Sequence, residues 1–388
     1  MNILYVTNER QMAGAVRARM FTAQYDDIFR ELSLKGFNVS NGSDISKEPH
    51  REFTALDPVV SGDYDAFETI NSIQDALTLA DHQVTRVDLS DMARVYVEMA
   101  SGSYDKVFNY AEGLSVLPFD FREVEIPMLA SLLGVSHTGS DPVVAQTIFD
   151  KSKTARRLQF CGIRTPSTVS VVRGDQYKGP FPVFVKPQFQ GSGVGIDSHS
   201  IVHTSEDLEK VVYSKVVESL QPVIVQPFLR DAEEMTVALL PYNGQVVVFP
   251  PLKVETHLGV GYGYEDKYGE HASKVRYSLV DDVIYCAEAM DLSKRVYTGL
   301  GIKGFARVDL MKNVDGVSVI EVNQPAGLCH GSIDVSYVVH DPFLVLADDV
   351  MSDFPKAVLA SVHDPRFKYL NLPPVRSYVH MIDAIVRG

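Results

Sequence analysis

The chain has 388 residues, 36 Lys+Arg against 50 Asp+Glu for a net charge of −14, and 45% hydrophobic residues. That length fits two or three domains sharing substantial cores, and the acidic balance excludes a generic polyanion-binding surface, so a nucleic-acid partner is not expected and any phosphate site must be local. Cys161, Cys286 and Cys329 are too few and too scattered for a disulfide framework or paired zinc ligands, and no apolar run approaches the roughly 20 residues of a membrane helix.

"MNILYVT" reads as a short apolar strand rather than a basic leader, so no membrane partner and a cytoplasmic location are expected. Met12 to Leu34 carries apolar residues at helical spacing, and Gly36 to Val39 reads as a second strand. A polar stretch from Ser40 to about Asp65 has no readable role. A helix over Phe67–Leu79 and strands over His82–Val87 and Lys106–Asn109 complete an alternating pattern, the signature of an open α/β domain.

Ser140 or Asp141 can cap a helix running through Asp150 and Lys151 to Phe160. Strands are expected at Thr168–Val172, Val183–Lys186, Gly195–Val202 and Val223–Gln226, with a helix from about Glu206 to Leu220. Glu234–Leu240 and Gln245–Phe249 read as an antiparallel pair turning at Asn243-Gly244. A helix over Asp281–Leu300 precedes two strands in "FARVDLMKNVDGVSVIEVN", so the last two thirds is α+β. The expected parts are an N-terminal α/β substrate domain at 1–145, a central part at 146–226, and a C-terminal part at 227–388 with a metal site.

Two stretches carry chemistry. In "PVFVKPQFQGSGVGI", Lys186 ends a strand and Gly191, Gly193 and Gly195 follow. A dinucleotide fingerprint needs a helix after its glycines, and a Walker loop has its lysine behind them. Strand, glycine-rich flap, strand fits better, and the flap suits closure over phosphates. On this stretch alone a phosphate flap and a plain hairpin are equally open. In the Phe305–Asn323 hairpin, residues two apart share a face. Arg307 with Asp309, and Glu321 with Asn323, therefore converge, and two carboxylates with an amide oxygen form a partial Mg²⁺ shell. A solvated face with a salt bridge is the competing reading. Lys151, Lys186 and Lys267 are candidate phosphate cations, Lys267 within the glycine- and tyrosine-rich loop "GVGYGYEDKYGEHA".

From about Asp105 to Ser336 these motifs resemble the ATP-grasp enzymes, and within them the D-alanine–D-alanine ligases. "VFVKPQFQGSGVGI" is similar to the family's strand and flap, "FARVDLMKNVDGVSVIEVNQPAG" to its metal hairpin, "FDKSKTARRLQFCGIRTP" to its Asp-Lys helix, and "YEDKY" to its lysine loop. The resemblance implies a three-domain ATP-grasp fold, an open α/β domain followed by two α+β domains that clamp ATP. It implies that Lys151 and Lys186 hold ATP phosphates beneath the flap with Gly191, Ser192 and Gly193. Gln226, Pro227, Phe228 and Leu229 would form the adenine hinge, Glu234, with Glu233 as rival, would bind ribose, and Lys267 would reach the γ-phosphate. Asp309, Glu321 and Asn323 would hold two Mg²⁺ ions, with Mn²⁺ as a substitute. Arg307 and the Gly327 amide would stabilise the oxyanion, Ser192 and Tyr268 would close the lid, and Ser332 would grip the second substrate.

The implied partners are a small carboxylate and an amino-acid amine, joined through an acylphosphate, in a homodimer. The family's glycine-rich loop with its glutamate is replaced by Val6-Thr7-Asn8-Glu9-Arg10-Gln11, and its His-Gly segment by Ala111-Glu112-Gly113. With Glu9 and Glu112 in a rewritten acyl pocket, the expectation is an altered substrate in specialised metabolism. The alternatives are cell-wall D-alanine–D-alanine ligation and a nucleotide-binding protein without turnover.

Overall fold

The computed structural model describes residues 1–8, 67–113, 122–172, 175, 177–189, 191, 193–219, 221–255, 276–328, 353–370, 372 and 377–388. Strand β1 (Asn2–Thr7) is buried from Ile3 onward, as a strand flanked on both sides and covered on both faces must be. It lies between β2 (Gln83–Asp88) and β3 (Lys106–Tyr110), parallel to both. Helix α1 (Phe67–Leu79) falls on the predicted residues. A helix that the alternation had not predicted, α2 (Met92–Ala100), links β2 to β3; Asp91 caps it by accepting from the Arg94 amide, and Val95 and Met99 form its buried stripe. The predicted elements at 12–34 and 36–39 lie outside the described residues.

Beyond α3 (Glu125–Leu133), the helix expected to run unbroken to Phe160 is two. Asp141 caps α4 (Pro142–Phe149), and Asp150, extended at φ −86° and ψ 100°, caps α5 (Lys151–Phe160). The Asp150 carboxylate accepts from the Ser152 and Lys153 amides, a local bond that competes with continuation of the helix.

The second sheet runs β4 (Val169–Val171), β7 (Val223–Pro227), β5 (Val183–Pro187), β6 (Ile201–Val202), every pair antiparallel. The strand expected over 195–202 is thus only its last two residues. Asp197 accepts from the His199 amide and its own amide donates to Ser200 Oγ, which closes Ser198–Ser200 into a 3-10 turn. Helix α6 (Ser205–Ser219) covers this sheet through Leu208 and Val212.

The third sheet runs β11 (Arg276–Leu279), β10 (Leu252–Glu255), β8 (Glu233–Tyr242), β12 (Ala306–Asn313), β13 (Gly316–Asn323), with β9 (Gln245–Val248) also on β8. Asn243 and Gly244 both take positive φ, 49° and 75°, the two-residue turn whose twist suits a hairpin. One face packs on α7 (Val283–Leu300) through Met235, Val237, Leu292, Val296 and Val308. Beyond the polar residues of its other face, Phe249 and Phe305 join Ile3, Tyr5 and Phe108 of the first sheet, with α8 (Asp353–His363) and α9 (Tyr378–Arg387), in one core. Burying each such aromatic is worth about 2 to 3 kcal/mol, so the first and third sheets are held together as a unit.

Candidate active site

The hairpin β12–β13 places Arg307 opposite Asn323 and Asp309 opposite Glu321, while β8 sets Ala238 against Arg307 and Thr236 against Asp309. Directly opposed residues share a face, so Thr236, Asp309 and Glu321 form one row, and Arg307 and Asn323 the next. A bulge makes this possible. The register slips between Asp309 and Leu310, which leaves Ile320 as the extra residue. Val317 and Val319 thereby point into the α7 core together with Val322. In an unbroken strand Glu321 would share the face of Val317 and Val319.

Asp309 is the best-held group on this face. Arg307 donates to it through Nε and Nη2, each at 2.8 Å, Thr236 Oγ1 at 2.8 Å and Asn323 Nδ2 at 2.8 Å. Arg307 and Asp309 are each only 9% exposed, so their two-pronged, charge-assisted pair works with little water around it. The salt bridge of the competing reading is real, yet the face is buried rather than solvated.

Glu321 faces two cations from other elements. Lys151 Nζ, at the first turn of α5, lies 3.0 Å from one carboxylate oxygen, and Lys186 Nζ, near the end of β5, lies 3.3 Å from the other. Both lysine side chains are under a tenth exposed, and phosphate-binding cations need such fixed placement. A polar chain sets the two elements against each other: Ser170 Oγ donates to Gln188 Oε1 at 2.5 Å, Gln188 Nε2 donates to Asp150 Oδ1 at 2.9 Å, and the Lys151 amide donates to the Gln188 carbonyl at 3.2 Å. The sequence had not singled out Asp150, Gln188 or Thr236. Asp150→Ala should lower stability by about 2 to 3 kcal/mol, since it deletes a helix cap and strands a buried amide. Urea unfolding checks this, and an unchanged midpoint would contradict it.

Beside the charged cluster a cleft is lined by Lys151, Leu158, Thr165, Gln226, Ile320 and Glu321. Gln226 donates to Thr168 Oγ1 at 2.8 Å, and the Phe228 amide donates to the Pro182 carbonyl at 3.0 Å, so Gln226 to Phe228 stay attached to the second sheet. Leu229 follows, leading toward β8. Strand register settles which of two glutamates faces this cluster. Glu234 alternates with Thr236 on the site face, whereas Glu233 pairs with Lys253 at 3.0 Å and Lys312 at 3.5 Å on the other. The Lys253 hydrogen bond holds the Glu233 carboxyl below the usual range.

The flap is two successive turns, with Val194 N donating to Gly191 O at 3.2 Å and Ile196 N to Gly193 O at 3.1 Å. Gly195 has φ +74°, and a Cβ there would sit 2.7 Å from Pro187 Cγ, so only glycine allows the return to pass over the residue after Lys186. Gly327 belongs to the segment leaving β13. There Leu328 N donates to Tyr110 Oη and Tyr378 Oη donates to Leu328 O, both at 2.7 Å, which ties the segment to β3 and α9. Glu112, half-buried, follows β3 at the carboxyl ends of the parallel strands, where open α/β sheets form ligand clefts. Glu9, Ser192, Lys267, Tyr268 and Ser332 lie outside the described residues.

Two carboxylates and one amide oxygen on a single face are hard donors, which fits Mg²⁺ with water and phosphate oxygens completing its shell. No group of three or more His, Cys, Asp or Glu among the described residues could hold a metal by itself. Burial pushes the Cys286 thiol up, which disfavours a thiolate nucleophile. No helix among the described residues is long and apolar enough to cross a membrane.

The family model described as D-ala D-ala ligase C-terminus matches residues 167–338. The D-alanine–D-alanine ligase of Desulforudis audaxviator is 30% identical over 218 residues, 53% of this chain and 67% of that protein. That of Pseudomonas putida strain GB-1 is 27% identical over 319 residues, 80% of this chain and 91% of that protein. Among solved structures, the D-alanine–D-alanine ligase of Bacillus anthracis complexed with ATP superposes with a TM-score of 0.57 at 18% identity, covering 82% of this chain and 90% of that one. The VanG D-Ala:D-Ser ligase of Enterococcus faecalis gives 0.58 at 14% identity over 100% and 99%. The motif resemblance, the shared fold and these sequence matches agree, and the chain belongs to the D-alanine–D-alanine ligase family of ATP-grasp ligases.

Proposed function

We propose that this ATP-grasp ligase joins two D-alanine molecules, activating the first as an acylphosphate and releasing ADP and phosphate. The observation that carries the reading is the pair of buried lysines, from separate elements, that hold Glu321 of the hairpin beside the glycine flap. A carboxylate resists attack by an amine because it is anionic and lacks a good leaving group. Transfer of the γ-phosphoryl group to a carboxylate oxygen supplies one: the P–O bond to ADP breaks, the new P–O bond forms, and the amine then attacks the acyl carbon and expels phosphate.

Lys151 and Lys186 would exchange Glu321 for phosphate oxygens as the nucleotide enters, Gln226 to Leu229 would line the adenine side, and Glu234 would take the ribose. Asp309, Glu321 and Asn323 would hold two Mg²⁺ ions, or Mn²⁺ in their place, and bound metal would neutralise the charge that develops on the phosphoryl oxygens. Arg307 and the Gly327 amide would face the oxyanion. Roles for Ser192, Lys267, Tyr268 and Ser332 would follow the family pattern, as would the division at 145 and 226 and a homodimer, whereas Glu9 and Glu112 depart from it and would shape the acyl-substrate pocket.

The names of the relatives favour D-alanine over the altered substrate expected from the N-terminal departures, since relatives called D-alanine–D-alanine ligases align over up to 80% of the chain. With MgATP and D-alanine the protein should produce D-alanyl-D-alanine with one ADP and one phosphate each, read by mass spectrometry and phosphate release. Release of AMP and pyrophosphate would overturn the acylphosphate route. ADP release that needs some other amino acid would restore the altered-substrate reading.

A further inference from the structure

Lys215 is a buried charge outside the site already described. On α6 the inward row is Leu208, Val212, Lys215 and Ser219, and the Lys215 residue is only 3% exposed. Its ammonium donates to the Gly195 carbonyl at 2.6 Å and to Asp197 Oδ2 at 3.2 Å. A methionine would fill that apolar row without the cost of desolvating a charge, but it could hold neither partner. Gly195 in turn packs over Pro187, next to Lys186, so a direct line of contact runs from α6 through the flap's return to a phosphate-binding lysine.

We propose that Lys215 is a positioning residue for nucleotide binding: it fixes the return of the glycine flap against Pro187 and so holds the flap in register with Lys186. This inference rests on the flap being the phosphate cover of the proposed reaction. The Lys215 side chain is only 4% exposed, against 50% for Asp197, so the helix supplies the fixed end of the tether and the flap the adjustable one. Asp197 also caps the 3-10 turn, a duty asparagine performs equally well. Asp197→Asn therefore removes the ion pair and leaves the cap.

The test measures affinity for a non-hydrolysable ATP analogue with Mg²⁺, without amino acid, together with amide hydrogen exchange. Lys215→Met should weaken binding about tenfold and speed exchange at Val194 and Ile196, while β5 and β7 keep their protection. Asp197→Asn should weaken binding about threefold, and it carries the test if Lys215→Met fails to fold. Unchanged affinity in a folded Lys215→Met protein, or in Asp197→Asn where that variant is the test, would overturn the proposal. Exchange that rises equally through β5 and β7 would do so too, since it would mark Lys215 as only a core residue. Because no amino acid is present, failure of the dipeptide assay leaves this result standing, and a normal dipeptide assay beside unchanged Lys215→Met binding sinks the tether alone.

Discussion

Glu321→Gln should lower the rate of ADP formation by about 10³-fold, the order seen when a preorganised electrostatic group is removed from a reaction centre. The change is nearly isosteric, so shape and the β12–β13 ladder survive. What disappears is the negative charge that Lys151 and Lys186 approach at 3.0 and 3.3 Å. Without nucleotide that charge offsets two buried cations; in the proposed reaction the lysines would turn to phosphate and leave the carboxylate free to hold metal. The variant should therefore bind the ATP analogue about as well as the parent protein. Its half-saturating Mg²⁺ concentration should rise about tenfold or more, because a neutral amide is a weaker hard-cation ligand. Titration of Mg²⁺ at fixed ATP reads this directly. An unchanged requirement, with near-normal turnover, would reduce Glu321 to a counter-ion for the lysines.

How much of this site the sequence carried depends on whether period or proximity was needed. Period 2 along a strand was enough to put Arg307 with Asp309, and Glu321 with Asn323, on shared faces, though not to bring the two pairs together, and strand-then-glycines was enough to single out Lys186. The bulge at Ile320 was not legible, because no glycine or proline marks it and the apolar positions on either side look continuous. Nor was the approach of Lys151 to Glu321, which spans distant parts of the chain and depends on Asp150 breaking the helix where the pattern reads as continuous. Thr236 was invisible for a similar reason: a threonine on a strand says nothing until the register of β8 against β12 places it opposite Asp309. Register also put Glu234, and not Glu233, on the face of Thr236, a placement that sequence spacing had left open. The 3-10 turn at Ser198–Ser200 shows local side-chain bonds from Asp197 and Ser200 overriding what read as a strand.

Asp309→Asn should be as inactive as Glu321→Gln and lose more stability, since the Asp309 side chain is 12% exposed against 20% for Glu321. Sequence spacing alone gave the two acids equal standing as metal ligands. Their surroundings differ. Asp309 is 9% exposed and accepts both prongs of Arg307, itself 9% exposed. Removing one partner of such a pair leaves a guanidinium with little water and without its two-pronged carboxylate, a loss of about 3 kcal/mol. Asparagine presents one oxygen where two had accepted four donors, so Thr236 and Asn323 would compete for it with Arg307. The double variant Arg307→Met/Asp309→Asn also removes the cation that has lost its carboxylate and should recover about half of that loss or more, yet remain inactive, since the proposed metal ligand and the cation proposed for the oxyanion are both gone. Urea unfolding of the three proteins beside their ADP formation separates the two effects. Activity in Asp309→Asn within about tenfold of the parent would mean that the hairpin carries a structural salt bridge and that the phosphoryl chemistry is held elsewhere.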